Sequence, residues 1–525
     1  MRAHSFNGIA ALPSCRRLGL AIMVPFGCLV AAVCSLALAR GNGWLGGIAG
    51  AAAAAAAADT PRAGERNDDD MQGRKQLTVA SLTTAWTNRM ANANKAATFQ
   101  LGAEVFLAQP TRYLPNTGGV KPVVAVLAHA ASVLPNLSSV VDALALHTPD
   151  VRTVSILAPE HGFRGVAPAG EGGKGGIDPS TGLPVRSIYR KTGKALVDEA
   201  TRDGASVVVV DLQDVGCRFY TYVWTLYDLL VAFAEARHRT GDTSLRVVVL
   251  DRPNPLGGVA VQGPVTVEPR LSSLVGRKSI ALRHGMTVGE VARYFVGEFV
   301  GDAAGVPPSA LDGMLTVVPM NAYRRSASFN DLGLPFVPPS PNMPNALTAL
   351  IYPGMGLFEG VANATEGRGT TLPFVQVGAP WAGRDVAERA ATLAGTTSYA
   401  RFRLSFFAPV ADRCAGVSCA GVHVYPDTSS LPLGMLDPSF DPIRIALALL
   451  ASFMTTADPA SSFGWRFDGI GVATGGGIAW VDRLLGTSRI REALDRDPSS
   501  VASLPRLWSA ERDAFLGVRA RYLLY

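Results

Sequence analysis

Four short apolar runs constrain the fold more than any other feature of the chain: VVAVLAH (123–129), VRTVSILAPE (151–160), ASVVVVDLQDVG (205–216) and LRVVVLDRPNP (245–255). They are rich in β-branched residues and lack a polar alternate face, so each predicts a strand covered on both sides. Stretches of helical periodicity lie between them, near 136–147, near 192–203 and over TYVWTLYDLLVAFAEARHR. LTVVP (315–319) predicts a fifth strand, and T-V-G-E at 287–290 has the form of a capping box opening a helix through Phe299. Buried strands joined by helices are parallel strands with crossover connections, which handedness winds into an open, doubly wound α/β sheet.

The rest of the chain is organised around that sheet. At 525 residues, with 48% hydrophobic and 17% charged residues, the sequence supports two or three domains and a large core. The 48 basic and 42 acidic residues leave a net charge of +6, spread thinly, with no Lys/Arg-rich block to bind nucleic acid. Dense Pro and Gly over 333–382 predict a long structured loop region. RFRLSFFAPV (401–410) and GVHVYP (421–426) then read as strands, Asp441–Pro442 as the cap and first turn of a helix, and 480–525 as helical. This predicts a larger domain over 96–370 and a smaller α+β domain over 371–525.

Residues 18–39, LGLAIMVPFGCLVAAVCSLALA, are uncharged and long enough to cross a bilayer, and Arg2, Arg16 and Arg17 precede them. Residues 1–40 therefore read as a secretory signal cut after ALA at 37–39 or as an uncleaved anchor, the length favouring the anchor. Either one carries the body of the protein out of the cytoplasm, and the second ties it to a membrane. Residues 41–95, with eight alanines at 51–58, read as a low-complexity linker. Cys414 and Cys419 are spaced for a local disulfide, but no second cysteine pair completes a zinc site, so neither metal nor cofactor is expected.

Ligands of an open α/β sheet bind outside the carboxyl ends of its strands. Here the first strand ends at His129 and the second at Glu160 and His161, with Arg164 close behind. The third ends at Asp211 and Asp214, followed by Arg218, Tyr220 and Tyr222. The fourth ends at Asp251 and Arg252, followed by Asn254. A helix N-cap accounts for a single Asp at a strand end, but four polar ends shaped by Gly and Pro point to a cleft. His284, just before the helix cap at 287, is a further candidate or a turn residue; His423 reads as a strand residue.

Several chemistries are excluded. No G-x-G-x-x-G follows the first strand, GEGGKGG (170–176) lacks the P-loop spacing and reads as a flexible turn, and neither G-x-S-x-G nor H-E-x-x-H occurs. What remains is a cleft of carboxylates, arginines and tyrosines. Paired carboxylates suit glycosidic bond cleavage, and a Glu behind an apolar strand suits the acid, because desolvation favours its protonated form. Tyrosines at 220 and 222 either stack on sugar faces or belong to the core.

The strings APEHGFRG (158–165), DPSTGLPVRSIY (178–189), DLQDVGCRFYTYVWT (211–225), LDRPNPLGG (250–258), RHGMTVGE (283–290), GLPFVPPSPNMP (333–344), YPGMGLFEG (352–360) and EGRGTTLPF (366–374) occur in this order. In them the chain resembles the NamZ-type exo-β-N-acetylmuramidases over roughly residues 120–525. The resemblance implies a Rossmann-like larger domain, a smaller C-terminal domain that completes the cleft, and release of terminal N-acetylmuramic acid from the non-reducing ends of peptidoglycan fragments. It implies Glu160 as the general acid, with Glu366, Asp214 or a tyrosine of RFYTY as its partner, unless the substrate's own acetamido group is the nucleophile. It also implies Arg164, Arg218 or Arg368 as the ligand of the lactyl carboxylate, and Asn342 among the substrate contacts. Competing readings are a non-catalytic carbohydrate-binding protein on the same scaffold and an exo-glycosidase for another amino sugar.

Overall fold

The computed structural model describes residues 98–525, apart from 117, 396–399, 427–439, 458–462 and 469–476. The segments read as signal or anchor and as linker lie outside the described residues. Among the described residues no helix is long and apolar enough to cross a membrane.

Seven strands form the larger sheet: β1 (Val123–Ala128), β2 (Arg152–Ala158), β3 (Gly176–Ile177), β4 (Pro184–Ser187), β5 (Val207–Asp211), β6 (Arg246–Leu250) and β7 (Leu315–Val318). Their order is β3-β4-β2-β1-β5-β6-β7. All neighbours are parallel except the β3–β4 pair at one edge. Without β3, the parallel strands stand in the 3-2-1-4-5-6 order of a Rossmann sheet, whose direction reverses at β1. The two short edge strands were not anticipated, because GI and PVRS carry no apolar run.

Alternation along each strand explains why the central runs look continuously apolar. Val124, Val126, Val207, Val209 and Val248 pack with α1 (Gly102–Ala108) and α2 (Val140–His147) on one face. Ala125, Leu127, Val208, Val210 and Val249 pack with α3 (Gly193–Thr201), α4 (Tyr222–Thr240) and α5 (Val288–Phe295) on the other. The capping box of α5 is present: Thr287 Oγ1 accepts from the Glu290 N–H, and Glu290 Oε2 from the Thr287 N–H. Regular α-helix nevertheless stops at Phe295, four residues short of the expected end, and Val296–Val300 continue as a wider π-helical turn.

The region expected to be loop over 333–382 holds a helix, α6 (Ala346–Met355), capped by the Asn345 side chain. Pro353 lies near its end, and Gly354 is there because a Cβ would come within 1.8 Å of the Pro442 carbonyl. In this case Pro and Gly mark close packing rather than irregular chain. Beyond it, β8 (Gln376–Ala379), β9 (Ala400–Phe407) and β10 (Cys419–Pro426) form an antiparallel sheet in the order β8-β10-β9. It packs with α7 (Val386–Ala394) and α8 (Pro442–Thr456), the latter capped by Asp441 as expected. Cys414 and Cys419 are free thiols. The chain ends back on the larger sheet: the Tyr525 hydroxyl donates to Asp251 Oδ2 at 2.8 Å and accepts from the Met320 N–H at 2.7 Å.

Candidate active site

Pro159 ends β2, and the next residue, Glu160, is 7% exposed at the carboxyl edge of the sheet. Its Oε1 accepts from the Gly170 N–H at 2.6 Å and its Oε2 from the Thr221 hydroxyl at 2.5 Å. The glycine-rich segment read as a flexible turn therefore cradles this carboxylate. Its Gly173 meets Gly162 almost backbone to backbone, and a Cβ on Gly172 would collide with Tyr189 Cβ at 2.7 Å. His161 has a φ of +66° and directs Nδ1 to the Ala167 carbonyl at 2.9 Å, which fixes the proton on that nitrogen.

A cavity of about 880 Å³ opens over Glu160, large enough for more than one sugar ring. It is bounded by His161, Tyr189, Arg190, Tyr220 and Asn342 on the sheet side, and by Tyr352, Glu359, Glu366, Arg368, Asp412, Arg413, Arg466, Asp468 and Arg483 opposite. Four of its lining residues, His161, Arg190, Phe374 and Asp412, hold positive φ without being glycine. Strain of this kind gathers where a site over-determines its backbone.

The carboxylates of the wall fall into two groups. Arg368 binds Glu366 Oε1 through Nε at 2.7 Å and Glu359 Oε1 through Nη2 at 2.9 Å, and lies 3.8 Å from Asp412 Oδ2. Arg413 takes the other oxygen of Glu366, and Arg483 pairs with Asp468 at 3.1 Å. Among the described residues, Glu160 is the one carboxylate lining the cavity without an arginine partner. An arginine-paired carboxylate is held ionised, whereas a hydroxyl such as that of Thr221 can turn round and accept from a protonated acid. Glu366, with both oxygens on guanidinium groups and 1% exposure, is built to hold Arg368 and Arg413 rather than to carry a proton.

Glu160, His161, Tyr220, Asn342, Glu366 and Arg368 are thus brought together as anticipated; the remaining sequence candidates lie elsewhere. Arg218 is fully buried away from the cavity, with its Nη1 and Nη2 on the carbonyls of Pro264, Val265, Ile280 and Leu484, so it does not reach a substrate there. Asp211 and Arg252 form a buried bidentate pair (2.6 and 2.8 Å), and Arg252 also reaches the Val133 carbonyl. Asp251 anchors the N-terminus of α5 through the Gly289 N–H (2.7 Å) and the Thr287 hydroxyl (2.8 Å). Asn254 closes its own turn by accepting from the Leu256 N–H and donating to the Met286 carbonyl. Arg164 lies outside the cavity, paired with Asp178 at 2.6 Å. Tyr222 is core, its hydroxyl donating to the Pro339 carbonyl.

Asp214 and His284 lie behind the wall. Asp214 Oδ2 accepts from the Gly216 N–H at 2.6 Å and faces His284 Nε2 at 3.7 Å, while His284 Nδ1 accepts from the Met286 N–H. His129 joins the ends of β1 and β5 by accepting from the Gln213 N–H, and burial, followed by the charge of Arg252, holds it neutral well below its ordinary pKa. Burial likewise raises the Tyr220 phenol well above its ordinary value, so it faces the cavity protonated. Sequence reading missed Tyr189, Arg190, Thr221, Glu359 and the arginines beyond residue 400. Tyr189, Thr221 and Glu359 fall inside the quoted strings, so a signal for them existed; Arg413, in ADRCAG, carries none.

Comparison with known proteins identifies the family. The chain matches the model for the N-terminal part of the exo-β-N-acetylmuramidase NamZ over residues 124–347, and the model for its C-terminal part over 350–525. It is 32% identical to the peptidoglycan β-N-acetylmuramidase NamZ of Bacillus subtilis (strain 168), over 86% of this chain and 96% of that one. Crystal structures of two DUF1343 family proteins from Bacteroides fragilis superpose with TM-scores of 0.64 and 0.57, both at 27% identity, covering 81% of this chain and 99% of theirs. The chain belongs to the NamZ family of exo-β-N-acetylmuramidases, a family of glycoside hydrolases.

Proposed function

We infer that this protein releases β-linked N-acetylmuramic acid from the non-reducing ends of peptidoglycan fragments, with Glu160 as the acid that protonates the leaving oxygen as the glycosidic bond breaks. The observation that carries the assignment is the arginine-free setting of Glu160 among otherwise arginine-paired carboxylates. With Gly170 holding Oε1 and a reversible hydroxyl at Oε2, the proton sits on Oε2 and leaves from there. The cleft draws on both the 96–370 and the 371–525 parts of the chain, as a two-domain exo-enzyme requires. The test is hydrolysis of para-nitrophenyl β-N-acetylmuramide. Glu160→Gln is expected to lower kcat by roughly 10²–10⁴-fold with the melting temperature unchanged. A wild-type protein that binds the muro-disaccharide but never cleaves it would instead establish a carbohydrate-binding protein.

The place of action follows the substrate. The uncharged stretch 18–39 behind Arg16 and Arg17 supports export, with the body of the protein outside the cytoplasm, anchored by that stretch or released from it. Fractionation of cells expressing the full chain tests this, and recovery of the intact chain in the cytosol would refute it.

A further inference from the structure

The arginines of the cavity are not equivalent. Arg368, Arg413 and Arg483 are engaged with carboxylates of the wall. Arg466 lies over the Trp480 ring, 5.1 Å from its centroid, and reaches the Glu359 carbonyl at 3.5 Å. Arg190, like Arg466, is exposed and has no carboxylate partner among the described residues, and its guanidinium lies 5.1 Å from the centroid of the neighbouring Tyr189 ring. It differs in lying on the turn tied to the end of β2, just before Glu160.

Its backbone is as unusual as its side chain. Arg190 is the third residue of a turn closed by the Lys191 N–H on the Ile188 carbonyl at 3.0 Å, and its φ is +61°. That corner of a turn favours glycine, because a Cβ crowds the neighbouring peptide. The turn is also fixed in place: the Ile188 N–H donates to the Ala158 carbonyl, two residues before Glu160, and Gly172 packs against Tyr189. The Tyr189 phenol stands between the two charges. It is raised first by burial and then by the charge of Glu160, and lowered by Arg190. A glycine-type corner therefore carries, on the Glu160 side of the cavity, an arginine that no carboxylate holds among the described residues.

We propose that Arg190 binds the carboxylate of the substrate's terminal sugar, the lactyl group that distinguishes N-acetylmuramic acid from N-acetylglucosamine. This rests on the reading of the cavity as the muramidase site. The lactyl arm springs from the same ring whose glycosidic oxygen Glu160 protonates, so its partner must lie beside Glu160 and must be a cation free of other carboxylates. Arg164 lies outside the cavity, Arg218 is sealed in the core, and Arg368 already holds two carboxylates at hydrogen-bonding distance. The planar guanidinium fork matches a carboxylate bidentately.

Arg190→Gly tests the assignment, because glycine suits the turn and removes the whole side chain, guanidinium included, without straining the backbone. Calorimetric titration with N-acetylmuramic acid and with its methyl ester is run on wild type and variant, beside turnover of para-nitrophenyl β-N-acetylmuramide. Wild type is expected to prefer the acid to the ester by roughly ten- to hundredfold. The variant should bind the two alike, with KM for the glycoside raised by a similar factor and a melting temperature at or above that of wild type. A variant that keeps the preference for the acid, an equal loss of affinity for acid and ester, or a wild type without preference each overturns the proposal. A wild type that binds the acid through Arg190 yet never cleaves the glycoside sinks the hydrolase reading and leaves the anion site standing.

Discussion

At the end of β2 a buried carboxylate, Glu160, rests on a backbone N–H and a threonine hydroxyl and faces a cavity. At the ends of β5 and β6 two more, Asp211 and Asp251, rest on an arginine fork and on a helix N-terminus, both fully buried and outside the lining of that cavity. All three occupy the carboxyl edge of one parallel sheet, where a ligand is expected. The difference lies in their partners. An aspartate bound bidentately by a buried arginine is a strut between strands, and its charge is fixed. A glutamate bound by groups that tolerate either protonation state can exchange a proton. The strand edge selects candidates; the hydrogen-bond partners decide between acid and strut.

Paired substitutions separate the two roles most sharply. Glu160→Gln is expected to remove activity by the factor given above while leaving stability untouched. Arg252→Ala is expected to do the reverse, lowering unfolding free energy by about 3–5 kcal/mol because Asp211 is left as an uncompensated buried charge. Urea denaturation read by circular dichroism checks both. An Arg252→Ala protein with wild-type stability would break the comparison, since the strut would then hold nothing.

A smaller effect is expected from the cradle of Glu160. In Gly172→Ala the added methyl would meet Ser187 Oγ at 2.6 Å and Tyr189 Cβ at 2.7 Å. The segment must retreat from β4, and with it Gly170 from Glu160. Overpacking of this sort costs about 1–3 kcal/mol, and turnover should fall along with stability. If turnover stays at the wild-type level while stability drops, the glycine-rich segment is scaffold alone and does not hold the acid.

The larger sheet was legible because a buried parallel strand writes itself as a continuous β-branched run, and the helices between strands keep their own period. The short strands β3 and β4 at one side of it were not, since GI and PVRS bury little and carry no apolar run. Helix α6 was obscured for the opposite reason: its Pro353 and Gly354 serve close packing on Pro442, which local sequence cannot distinguish from a loop. In the site, Glu160 stood out by following an apolar strand into glycine. Arg218 looked equally available in the string GCRFYTY, yet four carbonyls distant in sequence surround its guanidinium. Arg413 reaches Glu366 across 47 residues, a pairing no spacing rule contains. Polar type is local and legible; whether a polar group is already satisfied is not.

Asp251 supplies the finest test, because it differs from Asp211 in having hydroxyl partners. Burial pushes its carboxyl up to about 7, against 3.8 for an unperturbed group, although the Gly289 N–H, Thr287 and Tyr525 all oppose that shift. The hydroxyls of Thr287 and Tyr525 can each turn to accept from a protonated Asp251, which Arg252 could not do for Asp211. Between pH 3.8 and about 7 the folded state therefore binds a proton that the unfolded state does not. Its contribution to stability is complete below the unfolded value and declines as pH rises through the folded one, by up to about 1.4 kcal/mol per pH unit. Urea titrations of wild type and Asp251→Asn at intervals across that window should show the wild type losing stability relative to the variant as pH rises. A constant difference between the two would mean that Asp251 stays ionised throughout, and that the end of β6 is as fixed in charge as the end of β5.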